Sequence, residues 1–152
     1  MPPNGIKGLF YFKTQEAEKR NINVAINISK KLKASIIYNL NIKQQRDFGR
    51  IIGVLLDNAI EASSESQKKQ LGIEAYINLE SEFKLIISNT FNNSIDNAKI
   101  GKERFSTKGK NRGHGLLLVK QLVGNNKIFE IKTDIKKDLY IQTITVKKEG
   151  LL

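Results

Sequence analysis

The chain has 152 residues, of which 39% are hydrophobic and 27% are charged, a composition typical of one globular domain. It has no cysteine and one histidine, His114, which excludes disulfides, thiolate metal sites and multi-histidine metal sites. No apolar run approaches the length that spans a bilayer, and the start shows no signal-peptide pattern. The net charge of +11 favours a polyanionic partner without distinguishing nucleic acid, an anionic membrane surface and nucleotide phosphates.

The first thirty residues are predicted to form one helix and one strand. Residues 6–20 are predicted to be helical because five side chains recur at helical spacing: Ile6, Leu9, Phe10, Lys13 and Ala17. Residues 23–29 alternate apolar and polar side chains, with Val24, Ile26 and Ile28 on one side. This alternation predicts a half-buried strand.

The remaining elements also mix helices and strands. We predict a helix over 43–66, strands over 73–79 and 83–88 joined by a turn at 80–82, and a long mobile loop over 89–112. A helix over 116–123, closed by Gly124 and Asn125, precedes a hairpin with strands at 129–135 and 139–146 around a turn at 136–138. This order predicts an α+β domain with helices layered on one face of a sheet.

The helix at 43–66 carries a polar side chain at the edge of its apolar face. The apolar arc consists of Phe48, Ile51, Ile52, Leu55, Leu56, Ala59 and Ala62. Arg50, Asp57 and Glu61 lie on the opposite side, and Asn58 lies between the two, where its carboxamide oxygen could reach a cation at the rim of a pocket. One asparagine is enough for Mg²⁺, which accepts few protein ligands and keeps waters and phosphate oxygens as the rest. For this helix alone, an amphipathic surface helix without a ligand is the alternative.

Residues 105–116 combine glycines and basic side chains directly before a predicted helix, in the order Phe-Ser-Thr-Lys-Gly-Lys-Asn-Arg-Gly-His-Gly-Leu. Glycine lets the backbone approach a ligand closely, and the N–H groups at a helix N-terminus bind anions. Lys108, Lys110 and Arg112 can donate charge-assisted hydrogen bonds to phosphate oxygens. The segment matches neither a Walker loop nor a G-x-G-x-x-G fingerprint. A basic surface loop with a glycine cap is the alternative.

Taken together, these segments resemble the GHKL superfamily of ATP-binding domains. The run Asp57-Asn-Ala-Ile-Glu-Ala62 resembles its N box, and Ser106-Thr-Lys-Gly109 with Arg112-Gly-His-Gly-Leu116 resembles its second glycine box. Leu85-Ile-Ile-Ser-Asn89 resembles the strand that ends at the adenine-reading residue. Within the superfamily, the motifs are most similar to Agr-type and competence-type sensor histidine kinases, which respond to peptide pheromones. The resemblance covers nearly the whole chain.

The resemblance implies a Bergerat fold, a two-layer α+β sandwich in which about three helices cover one face of a mixed sheet. Residues 1–152 would form one ATP-binding catalytic domain. Asn58 would coordinate Mg²⁺, and Asn89 would hydrogen-bond the adenine amino group. Residues 105–112 would form a lid over the nucleotide. The remaining nucleotide-binding residues that the resemblance implies are Phe105, Thr107, Lys108, Gly109, Arg112, Gly113, His114, Gly115 and Leu116.

The chain departs from the superfamily pattern at two positions. Asn89 stands where most members have aspartate, and the usual Gly-x-Gly does not follow it. Val54 stands one turn before Asn58, where gyrase-like ATPases have a water-activating glutamate and many kinases an asparagine. Without a carboxylate there, slow hydrolysis and transfer of the phosphoryl group to a histidine are expected. No catalytic residue is assigned firmly. Glu61 is a candidate for contact with a metal-bound water, and a solvated surface glutamate is the alternative.

The resemblance also implies partners outside this chain. His114 lies between two glycines and is predicted to be a loop residue near the nucleotide, not the phosphoacceptor. The acceptor would be on a dimerisation domain of the same full-length, dimeric kinase, with a response regulator downstream in quorum sensing. The chain alone is therefore not expected to phosphorylate itself. It would be the cytoplasmic domain of a bacterial kinase that reaches the membrane only through an absent sensor domain.

Two alternatives stay open. An anti-sigma-factor kinase of the same superfamily would phosphorylate a serine on a small protein and would need no histidine domain. A basic nucleic-acid-binding module would suit the charge of +11. Against the second, the aromatic residues do not interleave with the basic ones as a stacking platform requires, so no nucleic acid partner is expected.

Overall fold

A computed structural model describes residues 4–30, 39–92 and 110–147. In these ranges, three helices cover one face of a five-stranded sheet. The helices are α1 (Asn4–Lys19), α2 (Ile42–Ser64) and α3 (Lys110–Asn125). The strands are β1 (Asn23–Ile28), β2 (Gln70–Ile77), β3 (Phe83–Thr90), β4 (Phe129–Lys136) and β5 (Leu139–Val146). The predicted fold class is confirmed. None of the helices in the described ranges has the length and apolar character needed to cross a membrane.

The sheet is mixed, with strand order β1-β2-β3-β5-β4. β1 runs parallel to β2, and every other neighbouring pair is antiparallel. Because side chains alternate between the two faces of a strand, the helix-facing side of β3 carries Leu85, Ile87 and Asn89, all buried. The register places Asn89 between Leu71 on β2 and Tyr140 on β5. This face of the sheet is therefore apolar at its centre and becomes polar towards the end of β3.

Helix α2 is the centre of the core. It begins with a capping box, in which the Gln44 backbone N–H donates to Asn41 Oδ1 at 2.8 Å and the Asn41 N–H donates to Gln44 Oε1 at 2.9 Å. Phe48 stacks on Phe129 with ring centroids 5.5 Å apart and meets Phe83 edge-on at 6.0 Å. Full burial of one such side chain stabilises the fold by about 1.5–3 kcal/mol. This packing holds the rest of α2, which carries Asn58, in a fixed position above the sheet.

A buried polar contact joins the start of α2 to the end of α3. The Asp47 side chain is buried, and its Oδ2 accepts a hydrogen bond of 3.1 Å from Asn126 Nδ2, which also donates to the Leu122 carbonyl oxygen at 2.7 Å. Lys43 Nζ lies 3.7 Å from the same carboxylate. A buried carboxylate needs such partners to offset its lost hydration. The contact fixes the C-terminal end of α3 against α2.

The predicted elements agree with the structure except at a few ends. The strand predicted at 23–29 is present, but Ile26 and Ile28 are 49% and 52% exposed. Val24 packs against the core, so only the beginning of β1 is half-buried on its helix-facing side.

The loop predicted over 89–112 is wrong at both ends, and residues 93–109 lie outside the described ranges. Asn89 and Thr90 continue β3 because long-range partners satisfy the Thr90 hydroxyl. It lies 2.6 Å from Ser66 Oγ and accepts a 3.0 Å hydrogen bond from the Gln70 backbone N–H. At the other end, α3 begins at Lys110, so the prediction that this helix begins at residue 116 is also wrong.

Candidate functional site

A polar cleft of about 410 Å³ lies where the three helices meet. Helix α1 contributes Lys13 and Glu16, and Arg20 follows its last residue. Helices α2 and α3 contribute the remaining lining residues: Val54, Asp57, Asn58, Ile60, Glu61 and Gly115. Three residues singled out from the sequence, Asn58, Glu61 and Gly115, therefore line the same cleft although they come from different helices.

Ion pairs organise the α1 side of the polar cleft. Lys13 Nζ donates a 2.5 Å hydrogen bond to Asp57 Oδ1 and lies 3.8 Å from Glu16 Oε2. The Lys13 side chain is only 16% exposed, whereas that of Asp57 is 56% exposed. The bond therefore joins α1 to α2 at the residue directly before Asn58.

The approach of α3 to α2 depends on a glycine. A Cβ built on Gly115 would lie 3.2 Å from Val54 Cγ1, closer than ordinary van der Waals contact. A side chain at residue 115 would therefore require Val54 or one of the helices to shift by a few tenths of an ångström. The next residue on each helix, Leu55 and Leu116, lines a second cavity. Consecutive residues of α2 and of α3 therefore line different cavities.

This second cavity, the sheet pocket, has a volume of about 560 Å³ and lies between α3 and the β4–β5 hairpin. Its lining residues are Leu55, Leu116, Val119, Lys120, Val123, Gly124, Ile131, Thr133, Tyr140 and Gln142. Its floor carries a short hydrogen-bonded row. Thr133 Oγ1 lies 2.7 Å from Gln142 Oε1, to which it donates, and Gln142 Nε2 donates to the Tyr140 hydroxyl at 2.9 Å. An apolar pocket with a few fixed polar groups suits a flat heterocyclic ligand.

Asn89 lines neither the polar cleft nor the sheet pocket; its link to the sheet pocket is through the neighbouring strand β5. Its side chain is 2% exposed, and its register partner on β5 is Tyr140, which lines the sheet pocket. Asn89 Nδ2 donates a 2.9 Å hydrogen bond to the Thr90 carbonyl oxygen. That bond fixes the orientation of the amide and leaves Oδ1 as the acceptor.

The other residues singled out from the sequence fall in three groups. Leu116 lines the sheet pocket instead of the polar cleft. Phe105, Thr107, Lys108 and Gly109 lie outside the described ranges. The backbone of Arg112, Gly113 and His114 belongs to α3, so the prediction that His114 is a loop residue is wrong. Of these three residues the structure describes the backbone alone.

Sequence reasoning missed the contribution of α1 to the polar cleft. Lys13, Glu16 and Arg20 were not assigned to any site, yet they form one wall. A signal was present, because Lys13 falls on the apolar stripe of a predicted helix, where a lysine needs a specific partner.

Comparisons with known proteins agree with this architecture. A family model described as GHKL domain matches residues 43–147, and a search of curated proteins found no significant match. The nucleotide-free catalytic domain of histidine kinase ThkA superposes with a TM-score of 0.68 at 15% identity, covering 97% of this chain and 93% of that one.

Two further solved structures are similar. The mycobacterial sensor histidine kinase MprB has a TM-score of 0.62 at 18% identity, covering 92% of this chain and 93% of that one. Full-length ShkA in complex with AMPPNP has a TM-score of 0.65 at 13% identity, and the match covers 96% of this chain but 30% of ShkA. At these identities the likeness establishes a common fold.

Proposed function

Since the chain belongs to the GHKL domain family, we propose that it binds ATP with Mg²⁺ as the catalytic domain of a sensor histidine kinase. The observation that carries the proposal is that Asn58 and Gly115 line one polar cleft, while Leu55 and Leu116 on the same two helices line the apolar sheet pocket. A polar cleft and an apolar pocket with a polar floor together suit a ligand made of a base and a phosphate tail that carries Mg²⁺.

Asn58 is the proposed Mg²⁺ ligand through its carboxamide oxygen, with Glu61 close enough along α2 to contact a metal-bound water. Among the described residues, no group of three or more histidine, cysteine, aspartate or glutamate side chains could hold a metal ion. A site built on Asn58 therefore fits Mg²⁺, which takes most of its ligands from water and phosphate oxygens. The bound ion would offset the charge that develops on the transferred phosphoryl group.

Asn89 is the proposed reader of the base. The hydrogen bond from its Nδ2 to the Thr90 carbonyl leaves Oδ1 to accept from the adenine amino group. Its neighbour Tyr140 continues into the floor of the sheet pocket. The proposed lid comprises residues 105–112, and Gly113, His114, Gly115 and Leu116 would lie near the phosphates.

The proposed reaction is transfer of the γ-phosphoryl group to a histidine on a dimerisation domain of the same full-length kinase. The similarity to the catalytic domain of ThkA and to the sensor histidine kinase MprB supports this proposal, as does the lack of a carboxylate at Val54 for water activation. On the resemblance of its motifs, the full-length protein would be a membrane-anchored, Agr-type or competence-type kinase with a response regulator downstream. Its sensor and phosphoacceptor domains would lie outside residues 1–152.

Titration of the chain with a fluorescent ATP analogue, with and without Mg²⁺, tests the proposal. We expect Mg²⁺-dependent binding that Asn58→Ala weakens on the order of tenfold. Arg50→Ala, at an exposed position on α2, is the matched control and should bind as the wild type does. A folded Asn58→Ala protein with unchanged Mg²⁺-dependent affinity would remove Asn58 from the site. Salt-sensitive DNA retention without nucleotide binding would favour the nucleic-acid alternative.

A further inference from the structure

We propose that Lys13 of α1 binds the terminal phosphate of ATP in the polar cleft. The inference rests on the proposed function and adds the first helix to a site whose sequence motifs lie on α2, β3 and residues 105–116. Helix α1 lies outside the residues 43–147 that the family model matches.

The burial of Lys13 is unusual for a surface lysine. Its side chain is 16% exposed, on the same stripe of α1 as the buried Ala17. Three contacts hold its ammonium in place: Asp57 Oδ1 at 2.5 Å, Glu16 Oε2 at 3.8 Å and the Phe12 ring centroid at 5.7 Å. Lysine side chains are mostly exposed in folded proteins, so partial burial of this one is informative. An ion pair whose acidic partner is 56% exposed contributes little to stability by itself, so fold stability alone does not explain this placement.

The ammonium has capacity for an anion in addition to Asp57. A lysine has three N–H donors, and the Asp57 carboxylate accepts one of them. Glu16 lies beyond hydrogen-bond distance at 3.8 Å. Within the part of the chain that the structure describes, donors are therefore left for an anion in the cleft that Lys13 lines together with Asn58.

A triphosphate in the polar cleft would meet an excess of carboxylates and would need a nearby cation to offset them. The lining side chains of the cleft include three carboxylates, those of Glu16, Asp57 and Glu61, against the two cations Lys13 and Arg20. A triphosphate whose Mg²⁺ is held by Asn58 would come close to the Asp57 carboxylate, and Lys13 is the cation bonded to that carboxylate. Lys13 would thus both neutralise Asp57 and donate to the phosphate. These two roles can be separated by experiment.

The test measures dissociation constants of the full chain for ATP, ADP and adenosine in the presence of Mg²⁺. Lys13→Met keeps most of the aliphatic length and removes the charge, and it should weaken ATP binding on the order of tenfold. The affinity for ADP should fall less, and the affinity for adenosine should not change. Lys13→Arg should recover most of the ATP affinity. Lys43→Met is the matched control, because Lys43 forms its ion pair with Asp47 at the other end of α2; its ATP affinity should not change.

A second comparison repeats Lys13→Met in an Asp57→Asn background. If Lys13 binds phosphate, the loss of ATP affinity persists there. If the loss vanishes, Lys13 only neutralises Asp57 and the inference is overturned. If Lys13→Met weakens the binding of ATP, ADP and adenosine equally, Lys13 only holds α1 against α2, and the inference is also overturned. Failure of the wild type to bind ATP would refute the proposed function, whereas tight wild-type binding that Lys13→Met leaves unchanged refutes this inference alone.

Discussion

The contact between Gly115 and Val54 predicts that Gly115→Ala has opposite effects on stability in two backgrounds. It should destabilise the wild type, in which residue 54 is valine, and stabilise the Val54→Ala variant. In the wild type, the new Cβ would lie 3.2 Å from Val54 Cγ1 and 4.0 Å from Cγ2. The first distance requires α3 or the valine to shift by a few tenths of an ångström. Val54→Ala removes both γ carbons and with them the close contact.

Two opposing effects set the magnitude. Replacing glycine by alanine inside a helix stabilises the helix by about 1 kcal/mol, whereas overpacking a tight contact costs about 1–3 kcal/mol. Gly115→Ala should therefore change the free energy of unfolding of the wild type by about 0 to −2 kcal/mol. In the Val54→Ala background the packing cost disappears, and the same substitution should raise the free energy of unfolding by about 1 kcal/mol.

Urea denaturation of the four proteins of this double-mutant cycle measures the difference. Gly124→Ala is the matched control on the same helix, because a Cβ there would meet no atom within 4 Å. It should change the free energy of unfolding by the same amount in both backgrounds. The reasoning is refuted if Gly115→Ala also has the same effect in both backgrounds, within about 0.5 kcal/mol, the spread expected of independent sites.

Three further predictions concern the base, the acceptor and pH. Asn89→Asp should sharpen the preference for ATP over GTP, because a carboxylate only accepts, whereas the asparagine amide can turn over by giving up its bond to Thr90. Competitive displacement of a labelled nucleotide tests this, and unchanged affinities in a wild type that already rejects GTP would contradict it. The chain alone should bind ATP without phosphorylating itself; acid-labile ³²P incorporation that disappears in His114→Gln would show otherwise. The hydrogen bond from Lys68 lowers the pKa of the Asp138 carboxyl, so the pair stabilises the fold above the unfolded-state pKa and this contribution is lost as the pH falls through the lower folded-state pKa. The urea midpoint of the wild type should therefore fall more than that of Asp138→Asn below pH 3.8, and parallel curves would exclude the effect.

The sequence predicts most elements because their hydrophobic periodicity is local. Helix α2 and the β4–β5 hairpin follow directly from the spacing of their apolar residues. The end of β3 does not, because Thr90 stays in the strand through partners distant in sequence, Ser66 and Gln70. Gly113 and Gly115 suggested a loop, yet α3 includes both, and Gly115 packs against Val54.

The candidate site shows the same division between local and distant signals. Local patterns identified Asn58, Glu61 and Gly115, which line one cleft. The participation of Lys13 depends on Asp57, 44 residues further along the chain, and no local pattern contains that pairing. The orientation of Asn89 likewise depends on the backbone of β3, since its amide donates to the Thr90 carbonyl.

The parallel pairing of β1 with β2 has a consequence for shortening the chain. A fragment limited to residues 43–147, the range of the family model, would lack α1 and β1. The sheet now ends at the six-residue strand β1; without it, the eight-residue strand β2 would become the open edge, and longer open edges promote aggregation by pairing with other chains. Asp57 would lose Lys13, and the polar cleft would lose one wall. Such a fragment should therefore self-associate, and the smallest piece of the chain suited to crystallisation or ligand screening includes α1.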